Sequence, residues 1–182
     1  AYHGLTNRLP RVIYFRTLDA QGWAAAAQEQ MVKDLGERLP SYLASQMPGL
    51  RHTKLTKLGS LVVETLRSKE ARVGWRHVGE EGLRVTTLGR TFLDMLQRPE
   101  LCGGIRHVIE LFEEHAQTYL SLILPEVTKH GGKIDQARAG YILEEKCHLA
   151  HPVIEEWAKG AIRGGSRRLD PQAEYSPIYS ER

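Results

Sequence analysis

The apolar pattern of this chain changes period at Thr87, and that change constrains its fold more than any other feature. Before it, Val73, Trp75 and His77 alternate with Gly74, Arg76 and Val78, the two-residue period of a strand. Glu80-Glu81-Gly82 supplies a turn, and Leu83-Arg84-Val85-Thr86 reads as a second short strand, so the pair predicts a hairpin. After it, Leu88, Phe92, Leu93 and Leu96 fall on one helical face. Thr86 or Thr87 is the expected N-cap, and Pro99 ends the helix because it disfavours helical geometry at the residue before it.

The rest of the chain keeps this division. Arg11–Phe15, β-branched and aromatic, predicts a strand, and the alanine-rich stretch Gln21–Gly36 a helix. Residues 39–49 read as a loop with one helical turn at most, closed by Pro48-Gly49. Leu61-Val62-Val63 is a further strand after Gly59-Ser60. Downstream, helices are expected from Ile105 to about Thr118, from Tyr119 to His130 with Pro125 within or breaking it, from Ile134 to Cys147, and from Pro152 to Ala161. Strands early and helices late predict an α+β fold, a small mixed or antiparallel sheet in the N-terminal half followed by a run of helices, and not a doubly wound sheet. From Gly160 onward periodicity is lost, so residues 161–182 are expected as an extended tail.

A length of 182 residues fits one domain, or one domain with a small appendage. Two cysteines, Cys102 and Cys147, exclude a disulfide-dense secreted scaffold. The longest apolar run, Tyr119–Leu124, falls far short of the ~20 residues of a membrane helix. The opening residues lack a signal-peptide pattern, so a cytoplasmic protein with no membrane partner is expected. The missing initiator Met makes a fragment or a trimmed chain the expectation. Charge is uneven. Residues 51–77 carry Arg51, Lys54, Lys57, Arg67, Lys69, Arg72 and Arg76 against two glutamates, a net of +5. Residues 78–160 carry nine basic against thirteen acidic residues, a net of −4. The seven basic residues are therefore the candidate contacts for a polyanion or an acidic protein, the alternative being a solvated surface.

Catalytic patterns are weak. Cys147, His148 and His151 cluster in sequence, with Cys102 and His107 elsewhere, but no paired zinc-ligand spacing is present, so neither a metal nor any other cofactor is expected. No nucleophile elbow, P-loop or Gly-x-Gly-x-x-Gly occurs. Gly164-Gly165 beside Ser166 is a weak phosphate-loop candidate and more simply a turn. Glu113-Glu114, Glu144-Glu145 and Glu155-Glu156 are adjacent pairs, which do not share a helix face. Glu64, Lys69 and Asp94 could be assembled into a nuclease centre, though nothing in their spacing requires it. Arg90 and Asp94 can meet across one helical turn, and if partly buried would fix how that helix packs.

Leu83–Ile105 resembles the central motif of the AbiEi family of type IV antitoxins, in which a strand reading V-T-S/T runs into R-T-L/F-L-D-x-L-x-x-P-x-L-x-G-G. The matching positions are Val85, Thr86, Thr87, Arg90, Thr91, Phe92, Leu93, Asp94, Leu96, Pro99, Leu101, Gly103 and Gly104. Tyr2–Arg11 is similar to the segment that opens the family's C-terminal domain; Ala139–Glu144 and Leu169–Pro171 are similar to two later segments. Residues 16–80 match poorly, and the alanine-rich helix near Trp23 is not a family feature.

The resemblance implies a C-terminal antitoxin domain over residues 1–160, with the family's N-terminal winged helix-turn-helix not in this chain. It implies a non-enzymatic antitoxin of an abortive-infection (phage-defence) system that counters a nucleotidyltransferase-like toxin, with or without binding it directly. With the winged helix it implies a transcriptional autorepressor that reaches operator DNA through that domain. Thr87, Arg90, Thr91, Leu93, Asp94, Pro99, Gly103 and Gly104 are expected to be structural. The alternatives are a DNA- or RNA-binding regulator without a toxin partner and, third, a metal-dependent nuclease.

Overall fold

A computed structural model describes residues 2–8, 11–47, 49, 54–68, 73–80, 83–161 and 168–174. The chain forms two units, one of residues Arg8–Val73 and one of Ala1–Asn7 with Gly74–Arg182. The expected 1–160 domain spans both. The fold is α+β, with small sheets early and helices after.

In the first unit, Val12–Leu18 (β1) runs into the helix Ala20–Leu35 (α1). Asp19 caps it, its carboxylate accepting from the Gly22 N–H at 2.8 Å. Gly36 ends it at φ 50°, which a side chain would strain. Residues 39–49, expected to be mostly loop, instead begin with a helix, Leu39–Ala44 (α2), reached through a 3₁₀ turn at Gly36–Arg38. Pro40 lies in its first turn, where a missing N–H costs nothing. Lys57–Leu58 (β2) turns at Gly59-Ser60 into Leu61–Ser68 (β3), a strand longer than its apolar core Leu61–Val63 predicted. The sheet is mixed, in the order β1-β3-β2, with β1 parallel to β3 and β2 antiparallel. Parallel pairing requires a crossover, which α1 and α2 supply. Val63 is the one buried residue described in this unit, and α1 buries none.

The second unit holds the core. Trp75–Val78 (β4) and Leu83–Thr86 (β5) form the expected antiparallel hairpin. Leu88–Gln97 (α3) follows, then a 3₁₀ turn at Pro99–Cys102 and the long helix Ile105–His130 (α4). The two helices expected on either side of Tyr119 are one helix with a kink there, at φ −109° and ψ 15°. Pro125 lies inside the second segment without ending it. Lys133–Tyr141 (α5) passes into a π turn at Ile142–Lys146, in which the Cys147 N–H reaches back to the Ile142 carbonyl at 3.0 Å. Pro152–Ala161 (α6) follows. Phe92, Leu93 and Leu96 of α3 pack with Val108, Phe112, Ile123 and Val127 of α4 and with Ile142, Ile154 and Trp157. The Phe92 and Phe112 rings meet edge to face, 4.8 Å between centroids. Within the expected tail, Leu169 packs on this core, and the Arg138 Nε–H donates to the Arg168 carbonyl at 2.9 Å.

Candidate functional site

The motif residues form one knot at the start of α3. The Thr87 N–H donates to the Gly74 carbonyl at 2.9 Å, fastening the helix start to the start of β4. The Thr87 hydroxyl caps the helix, accepting from the Arg90 N–H at 3.3 Å. The Thr91 hydroxyl lies 2.9 Å from the Thr87 carbonyl and 2.8 Å from the Thr86 hydroxyl. The His3 Nε2–H donates to the Thr86 carbonyl at 2.7 Å, which ties the opening segment to the hairpin.

Arg90 is 2% exposed. Its Nε donates to the Asp94 carboxylate at 3.0 Å, and its Nη1 lies 3.6 Å from Glu126 Oε1 on α4. Burying a guanidinium is costly unless carboxylates face it, and here two do. Gly74, at φ 70°, covers its aliphatic stem; a Cβ there would stand 2.7 Å from Arg90 Cγ. Pro99 opens the 3₁₀ turn, whose carbonyl accepts from the Gly104 N–H at 2.8 Å. Gly103 and Gly104 both take φ 91°, which is why this corner is a glycine pair. Leu93 is fully buried. Thr87, Arg90, Thr91, Leu93, Asp94, Pro99, Gly103 and Gly104 thus each have a folding task.

A second polar cluster was not anticipated. Asp135, 6% exposed, accepts from the Gly132 N–H and from Gln97 Nε2, each at 2.9 Å, and its other oxygen lies 3.8 Å from Arg138 Nη1. It joins α3, the start of α5 and, through Arg138, the segment at Arg168. Burial, set against the nearby charges of Asp135 and Asp170, moves Arg138 below its ordinary value. The one sequence signal for it is local, an acid three residues after Gly132 at the helix start.

The basic candidates divide. Lys54, Lys57 and Arg67 are exposed in the first unit and Arg76 is exposed on β4 in the second. Lys57 pairs with Val62, so it shares a face with the even-numbered positions of β3, while Arg67 lies on the other face. Arg51, Lys69 and Arg72 lie outside the described residues. The hairpin adds one cation outside 51–77: Arg84 lies over the Trp75 ring at 4.6 Å, and Trp75 meets His77 edge to face at 5.0 Å. Arg76 lies 6.0 Å from the centroid of the Tyr2 ring.

Among the described residues, no three His, Cys, Asp or Glu side chains are placed to hold a metal ion. Burial first, and then the charges of Asp94 and Glu100, push the Cys102 thiol up to about 11. Burial, then the charge of Glu113, pushes Cys147 up to about 11. Both changes work against the thiolate that a metal or a nucleophile needs. Glu64 and Asp94 belong to different units, and Asp94 is held by Arg90. Gly164, Gly165 and Ser166 lie outside the described residues. The three glutamate pairs are exposed on α4, the π turn and α6. A polar cleft of about 160 Å³ is lined by Leu5, Thr6, His107, Glu110 and Glu114 among others, below the ~300–1,000 Å³ usual for small-molecule sites.

Compared with protein-family models, with curated proteins and with solved structures, the chain matches none. Among the described residues, no helix is long and apolar enough to cross a membrane.

Proposed function

We propose that this chain is the antitoxin domain of a type IV toxin–antitoxin system, a cytoplasmic and non-enzymatic protein that counters a nucleotidyltransferase-like toxin. The observation that carries the reading is the segment Leu83–Ile105, which holds the AbiEi-like motif in order. The tasks of its residues support it: the cap at Thr87, the buried ion group Arg90–Asp94–Glu126 and the corner Gly103-Gly104 hold one arrangement of hairpin and helices. Because Arg90 and Leu93 are buried, contact with a toxin falls to exposed residues that the motif positions. A carboxylate-lined nucleotidyltransferase site is complementary to basic side chains such as Lys54 and Lys57. Operator binding and autorepression belong, in this reading, to a winged helix-turn-helix outside these residues.

Co-expression in a host cell tests the proposal. The candidate toxin encoded beside this gene, expressed alone, should arrest growth, and co-expression of residues 1–182 should restore it. Replacing Lys54, Lys57 and Arg72 together by Glu should abolish the rescue. Failure of the folded chain to protect overturns the antitoxin assignment, and undiminished protection by the triple variant overturns the role given to these cations.

The second reading, a DNA- or RNA-binding regulator without a toxin partner, is favoured by the hairpin, where Trp75, His77 and Arg84 place aromatic and cationic groups together. It predicts binding to single-stranded oligonucleotides that falls steeply with salt and is lost in Trp75→Ala.

A further inference from the structure

We draw no further inference here: the strongest candidate, the apolar groove that Ala24, Ala27 and Met31 of α1 form with Leu39 and Leu43 of α2 in the first unit, carries none because nothing in the structure shows what covers it.

Discussion

Gly89 lies against the backbone of Leu122: a Cβ built on it would stand 2.2 Å from the Leu122 carbonyl oxygen and 2.9 Å from its carbon. The atoms met are main chain, so no rotamer change relieves the clash, and α3 and α4 must move apart. Gly89→Ala should therefore destabilise by about 1–3 kcal/mol, despite the ~1 kcal/mol that alanine gains over glycine in helix propensity. Gly140→Ala is the matched comparison. Its Cβ would meet Ile154 Cγ2 at an ordinary 3.9 Å. That variant should be neutral or more stable by up to ~1 kcal/mol in the same denaturant titration.

Arg90 is held at both ends. Asp94 and Glu126 take its guanidinium, and Gly74 covers its stem. Arg90→Ala leaves the partly buried carboxylates of Asp94 and Glu126 without this cation and should cost about 3–5 kcal/mol. Arg90→Lys should recover only part, because one ammonium on a flexible stem does not reproduce the fork that addresses two acids. Gly74→Ala should cost about 1–3 kcal/mol, from positive φ and from crowding the stem. Combined with Arg90→Ala, it should cost less than the sum, since the stem it strikes is gone.

What was legible in the sequence is the part set by local chemistry. The threonine at the switch of period, the apolar face of α3 and the glycine corner after Pro99 are each within a few residues of what they control, and each stands where its chemistry placed it. The reading of Arg90 with Asp94 as a packing pair follows the same logic, and the structure buries Arg90 and leaves Asp94 half-buried beside it. What was not legible depends on residues far apart. Glu126 reaches Arg90 from thirty-six positions away, and no spacing announces it. The parallel pairing of β1 with β3 needs a crossover that includes α2, a six-residue helix with Pro40 in its first turn, too short for its period to show. The seven basic residues form a run in sequence. Of those described, Lys54, Lys57 and Arg67 belong to the first unit, with Lys57 and Arg67 on opposite faces of its sheet, and Arg76 belongs to the second.

Asp135 should matter more than its place outside the motif implies. Its carboxylate takes the Gly132 N–H and the Gln97 amide and faces the buried Arg138, so Asp135→Ala takes the acceptor from two donors and a carboxylate from beside that guanidinium. A loss of about 2–4 kcal/mol is expected, from a lost cap and a buried cation deprived of one of its two neighbouring carboxylates. Because Arg138 also holds the Arg168 carbonyl, residues 168–174 should become the first protease-sensitive segment in Asp135→Ala and in Arg138→Ala. Asp135→Asn, which keeps one oxygen, should lose less.

The two cysteines give the chain an alkaline limit. Both thiols are raised from an ordinary value of 9.0 to about 11, by burial first and by neighbouring carboxylates after it. The unfolded chain therefore releases these protons at lower pH than the folded one. The contribution of the protonated thiols to stability is full below pH 9 and is lost as pH rises through 11. Denaturant midpoints should fall between pH 8.5 and 10.5 by more in the natural chain than in Cys102→Ala with Cys147→Ala, a difference on the order of one pH unit's worth of linkage for each thiol. The same shift makes the thiols poor nucleophiles at neutral pH. An aromatic disulfide reagent at pH 8 should label the native chain slowly and the denatured chain at the rate of a free thiol. Equal rates would show the thiols to be exposed and unshifted.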